Sequence, residues 1–346
     1  MRTAVLSPED EEYLQILEHR RDHEMHTPLL SSFRVLALFA YEDLDGNHKH
    51  VIGANCECAN IGGALCAERS AICQLQLLPV RRVRKVYIVS DADVCLTPGT
   101  LCREFLSSSA YFTRSTPFIS RATKCKPCIT TLEELYPFPN VYDRVKRDDV
   151  LQYAQDFCDR AVAHQHGACE PAVNPGCEHS AFVAQQLQLM SVDEQKLYLA
   201  ALAATVNDKR DDLYPVRYAA AVLFRDGSIR VSWQHKTLEY GSSLDAISKL
   251  IPFIEEKHAP NLVVKHTEDA NAADAINASE PLLIAQVDQF GILHAPFARV
   301  RAYFFEFDFK DLHVLVHDRL GQLNRVNMGM LVSESPDCIA TSTAQK

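Results

Sequence analysis

At 346 residues, 47% hydrophobic and 23% charged, the chain can supply substantial cores for two domains and lacks the composition of a disordered protein. A formal net charge of −10 argues against nucleic acid or another polyphosphate partner, which would need clustered Lys and Arg. No stretch approaches the roughly 18 apolar residues of a membrane span, and the start MRTAVLSPEDEEYL has no apolar run behind a basic segment, so a reduced, cytoplasmic protein with twelve free thiols is expected.

Ser7-Pro8-Glu9-Asp10 reads as an N-cap, a proline at the first helical position and an acidic first turn, so a helix is predicted toward His23. FRVLALFAYEDLDGNHKHVIGANCECAN reads as two strands joined at Asp45-Gly46. A helix containing Cys66 follows. The basic run VRRVRK (Val80 to Lys85) is expected to be a solvated loop before the strand VYIVS. A second helix is predicted from Pro98 to about Leu106, then TKCKPCITTLEELYPFP. This order indicates a three-layer α/β domain over residues 1–157.

Residues 158–180 lack periodicity and are expected to form a linker, crowded with His164, His166, Cys169, Cys177 and His179 at irregular spacing. In residues 181–335 the pattern returns: a helix (SVDEQKLYLAALAATV), a hairpin with Asp226-Gly227 at its turn, a helix over SSLDAISKLIPFI, an insertion between Glu255 and Glu280, the strand PLLIAQVDQFG, and LHAPFARVRA. FFEFDF, around Phe304, is expected to be a core strand, and 336–346 a tail. Pro296 repeats the place of Pro98, with Phe297 and Val300 at the positions of Gly99 and Cys102. Gly241-Ser242-Ser243 is expected to match Cys66-Ala67-Glu68, or a shift of two puts Asp245 opposite Glu68. In either register the second copy lacks a thiolate pair.

Cys66-Ala67-Glu68 at a helix start, followed by Pro98 and Cys102, is a pattern with chemistry in it. A helix N-terminus favours thiolates, thiolates hold zinc, and a nearby carboxylate that is not a ligand can move protons. Gly99, however, stands where a second thiolate of the Pro-x-x-x-Cys segment is expected.

Residues from about Phe33 to Pro137 resemble the zinc-dependent cytidine deaminases of the free-nucleoside type. SSFRVLALF resembles that family's S-x-F-x-V-G-A-A-L strand, and TTLEELYPFP its closing T-x-x-E-L-L-P segment. The resemblance implies Glu68 as proton shuttle and Cys66 and Cys102 as zinc ligands. It implies Asn55 and Glu57 at the ribose hydroxyls, Phe33 and the backbone of Ala67 at the base, and Arg69 offsetting thiolate charge. A working domain followed by a degenerate copy is similar to the two-domain, dimeric branch, so tandem α/β/α domains and a homodimer are expected. The implied activity is deamination of cytidine or deoxycytidine in pyrimidine salvage.

The chain departs from that pattern at Gly63, Gly99 and Glu104. Three accounts of the missing thiolate stay open. Either Cys95, four residues before Gly99, is the third ligand, or zinc is held on Cys66 and Cys102 with waters or an outside ligand, or the site is empty in a nucleoside-binding or scaffold protein. Cys125-x-x-Cys128 is read as structural, half a zinc knuckle, or a redox pair.

Overall fold

Ser7 caps the first helix as its sequence predicts: its side chain accepts from the Asp10 amide, and the Asp10 carboxylate accepts from the Ser7 amide. In the computed structural model, which describes residues 1–59, 61–165, 180–255 and 280–333, the chain divides into two compact units. The first is Met1–Pro137 together with Val332 and Ser333, and the second is Phe138–Leu331. The break thus precedes the expected end of the first domain at residue 157. Residues 158–165, expected to open the linker, are instead the end of a helix, Val150–Gln165. The remainder of that linker up to residue 179, the insertion at 256–279 and the tail lie outside the described residues.

The first unit contains β1 (Arg2–Thr3), α1 (Pro8–His23), β2 (Val35–Asp43), β3 (His48–Ala54), α2 (Ala67–Leu75), β4 (Val80–Ser90), α3 (Thr100–Ser108), β5 (Pro117–Arg121), β6 (Cys128–Thr131) and α4 (Leu132–Leu135). Its sheet runs β1-β6-β5-β4-β2-β3, with β4 and β5 parallel and the other pairs antiparallel. Alternation along β2 builds two cores. Leu36, Leu38 and Ala40 face Leu14 and Leu17 of α1. Ala37, Phe39 and Tyr41 face Ala67, Ala71, Ile72 and Leu75 of α2 and Leu106 of α3. The result is a three-layer α/β unit.

The basic run is strand, not loop. Bulges of β4 against β2, with Arg84 extra opposite Ala40 and Tyr41 and Arg81 extra opposite Glu42 and Asp43, break the two-residue period of β4. Val80, Val83 and Val86 therefore all turn into the core, while Arg81 and Arg82 both reach Glu42 and Lys85 reaches Asp10 at 2.7 Å. A cation-rich sequence becomes a strand whose valines are buried while its cations stay at the surface, each beside a carboxylate.

The second unit has helices Val150–Gln165, Ala181–Gln188 and Val192–Ala204, and strands Tyr218–Phe224, Ile229–Trp233, Pro281–Asp288, Leu293–His294, His313–His317 and Leu323–Asn327. Apart from the short Leu293–His294 strand, its sheet repeats the order and directions of β6-β5-β4-β2-β3. The repeat register differs from both expected alignments. The bridge Cys56–Leu65 of the first unit has its counterpart in His235–Leu244, so Asp245 occupies the place of Cys66 and Ile247 that of Glu68. Asp245 is spent on the amides of Ile247 and Ser248, and Ile247 and Val300 are fully buried. Two further expectations are corrected here. Residues 246–250 form turns, with helix only at 251–255, and Phe304-Phe305-Glu306 ends the helix Ala298–Glu306 rather than forming a strand.

Candidate active site

Gly53 on β3 is what lets α2 approach the sheet: a Cβ there would overlap the Ala67 carbonyl oxygen and the Ala71 amide nitrogen. Cys66 is the N-cap of α2, putting Glu68 in its first turn, and Gly99 is the N-cap of α3, three residues before Cys102. Two helix N-termini thus supply the thiol-bearing residues, and their dipoles favour anionic groups.

One ligand atom each from Cys66, Glu68 and Cys102 lies within 4.8 Å of the others. Glu68 and Cys102 are buried, and Cys66 is half-buried. The Cys102 thiol and the Arg69 guanidinium hold Cys66 down at about 6 against the opposing effect of burial. Cys102 is correspondingly pushed up, by its bond to Cys66 and by burial. Burial, reinforced by Cys66, raises Glu68 to about 7. Arg69 donates to the Ala64 carbonyl at 2.7 Å and reaches the Cys66 sulfur at 3.7 Å, while its buried Nε has no hydrogen-bond partner among the described residues. Two soft donors, a carboxylate and an uncommitted cationic N–H fit a dication with an anionic or polar guest beside it.

The expected third ligand is not in this group. The Cys95 sulfur lies 3.2 Å from that of Cys125 and donates to the carbonyls of Ser120 and Lys126, at 3.2 and 3.4 Å. Among the described residues, no atom lies within 4 Å of where a Cβ on Gly99 would sit, so the place of the missing side chain is open to them.

The expected sugar-binding pair is held by the chain itself. Asn55 accepts from the Val35 amide and donates to the Phe33 carbonyl, both at 2.9 Å, fixing the edge of β2. Glu57 accepts from the Ser31 amide at 2.9 Å and from its hydroxyl at 2.5 Å, which lowers the Glu57 pKa. Phe33 is half-buried, just before β2, and its amide donates to the Ser31 hydroxyl at 3.1 Å.

Two contributors lie outside the residues singled out in the sequence. Ser31 is visible there only as part of the SSF motif. Arg103, next to Cys102, is fully buried and donates to the carbonyls of Pro98, Leu135 and Ser333 and to the Thr97 hydroxyl, at 2.6 to 2.8 Å. It fixes the turn that presents Gly99 and Cys102. Glu104, where the resembled family has glutamine, accepts from the Tyr136 hydroxyl at 2.9 Å.

No family model matches the sequence, and neither does any curated protein sequence. Among solved structures, the chain is similar to a cytidine deaminase from Burkholderia pseudomallei, with 19% identity, 39% of this chain and 99% of that one covered, and a TM-score of 0.32. It is also similar to cytidine deaminases from Mycobacterium leprae (19% identity, 41% and 99% covered, TM-score 0.29) and Mycobacterium tuberculosis (18%, 42% and 98%, TM-score 0.30).

Proposed function

We propose that the chain hydrolyses cytidine or deoxycytidine to uridine or deoxyuridine and ammonia, with Zn2+ held by Cys66 and Cys102 and with Glu68 as the proton-transfer group. The observation that carries this reading is the convergence of two thiols and a buried carboxyl within 4.8 Å of one another, with Cys66 and Gly99 as the caps of the two helices. Zinc bound there would supply a Lewis acid that makes water nucleophilic near neutral pH.

The chain's own residues do the rest. Glu68, screened from bulk solvent, takes a proton from the attacking water, delivers it to ring N3, and then passes one to the departing amine. Arg69 balances the thiolate charge. The Ala67 backbone and Phe33 border the base, and Asn55 and Glu57 hold the sugar, whose hydroxyls would replace the Ser31 donors on Glu57. An anionic Glu57 repels phosphate, so nucleosides are preferred to nucleotides. The second unit, with Asp245, Ile247 and Val300 at the corresponding positions, is a structural copy in this reading. We place the protein as a homodimer in cytoplasmic pyrimidine salvage.

Gly99 and the closed Ser31–Glu57 contact favour a second reading: a catalytically inactive, deaminase-like protein that binds a nucleoside or serves as a scaffold. Cytidine turnover, followed by the absorbance loss on uridine formation, separates the two. Wild type should turn over, and Glu68→Gln should lower kcat by about 10⁴-fold with an unchanged melting temperature. A melting shift with cytidine but no turnover supports the second reading. Neither response in zinc-supplemented protein defeats both nucleoside readings.

A further inference from the structure

Cys95, Cys125 and Cys128 gather on one side of the first unit. Cys95 is 4% exposed, while Cys125 and Cys128 are half-exposed. The Cys95 and Cys125 sulfurs are 3.2 Å apart, and the Cys95 amide donates to the Cys125 sulfur at 3.2 Å. An S–S bond is about 2.05 Å long, so each sulfur needs to move only about 0.6 Å for the bond to close. Cys128 donates to the Lys126 carbonyl at 3.4 Å and also lies near enough to act on Cys95, but the sulfur 3.2 Å from that of Cys95 belongs to Cys125.

We propose that Cys95 and Cys125 are a reversible disulfide site, oxidised by exchange with a small-molecule disulfide that enters through Cys125. This goes beyond the deaminase reading and does not depend on it. The buried sulfur cannot meet an outside oxidant, whereas its half-exposed neighbour can. In the first step Cys125 attacks the small disulfide RSSR, forming a Cys125–SR mixed disulfide, and its proton leaves with the displaced thiol as RSH. In the second, Cys95 attacks the Cys125 sulfur, forming the internal bond and releasing a second RSH. Two protein thiols are oxidised and one RSSR becomes two RSH. Burial and the two neighbouring thiols keep Cys95 protonated in the reduced state, so its deprotonation in the second step limits the rate of closure.

The bond would tie the β5–β6 connection to the segment running through Thr97 and Pro98 to Gly99. That segment is already anchored by Arg103 and by a bond from the Ser120 hydroxyl to the Leu96 carbonyl. Oxidation should therefore stiffen the base on which α3 and Cys102 stand.

The test equilibrates the full chain in mixtures of reduced and oxidised glutathione, traps free thiols by alkylation, and maps linked peptides by mass spectrometry. The expected product is a Cys95–Cys125 link with a melting temperature higher by about 5–10 °C, reversed by reductant. Cys128→Ser and the Cys66→Ser/Cys102→Ser pair should keep both effects, whereas Cys125→Ser and Cys95→Ser should each lose both. Because Cys125 is half-exposed, its variant reports even if Cys95→Ser fails to fold. A Cys125–Cys128 link would overturn the assignment, as would persistence of both thiols at the most oxidising ratio. Protection of Cys95 and Cys125 by one equivalent of zinc in the Cys66→Ser/Cys102→Ser protein would also overturn it, in favour of a second metal site.

Discussion

Restoring the side chain missing at position 99 tests the metal reading most directly. The backbone of Gly99, at φ −59° and ψ 158°, is ordinary for any L residue, and its Cβ direction is open to 4 Å, so Gly99→Cys needs no rearrangement. The residue caps α3 three positions before Cys102, at the helix end that already favours a thiolate. Four-ligand structural zinc sites are worth about 10–16 kcal/mol, or about 3 kcal/mol per ligand. An added thiolate should therefore tighten zinc binding by about 100-fold. Competition with a chromophoric chelator measures this, with Gly99→Ala as the control that adds a Cβ without sulfur. The gain should vanish in Gly99→Cys/Cys66→Ser. If Gly99→Cys binds zinc no more tightly than wild type and is equally stable, position 99 does not share a coordination sphere with Cys66 and Cys102. The proposed metal site would then be wrong.

Gly53→Ala should cost about 2–3 kcal/mol, read as a lower urea midpoint, because its methyl would meet the Ala67 and Ala71 backbone of α2. An unchanged midpoint would mean that α2 is not seated on β3 at that point. In the second unit, His317 accepts from the Leu293 amide on Nδ1 at 2.9 Å and bonds the Gln186 side-chain oxygen through Nε2 at 3.1 Å. A second ring proton would face the Leu293 N–H. Burial first, and His294 second, depress the pKa to about 3. The unfolded value is about 6.5, so His317 contributes its full stability above pH 6.5 and loses it progressively as pH falls toward 3, by about 2.7 kcal/mol at pH 4.5. His317→Gln, which can accept and donate in the same places, should flatten the dependence of melting temperature on pH between 6.5 and 4.5. Parallel curves for the two proteins would refute the assignment.

What could be read without coordinates was what short-range chemistry controls. The Ser7 capping box, the Asp-Gly hairpin turns and the placement of Cys66 and Glu68 at a helix start depend on neighbours a few residues away, and each appears where its local pattern puts it. The approach of Cys66, Glu68 and Cys102 to one another was suggested by motif spacing, but only the packing of α2 and α3 on one face of the sheet brings it about.

The failures share a cause: each was decided by a residue distant in sequence. VRRVRK is strand because it pairs along β2 with Arg84 and Arg81 as extra, bulged residues, and because Glu42 and Asp10 are placed to neutralise it. The repeat aligns on Asp245 because the His235–Leu244 bridge sets the register, which similarity between short polar segments could not do. Cys95 faces Cys125, thirty positions on, rather than the neighbouring Gly99, because the β5–β6 connection folds back beside it. Side-chain direction is set by tertiary packing, so the sequence by itself determined which donors this protein carries, and only the fold decided which of them meet.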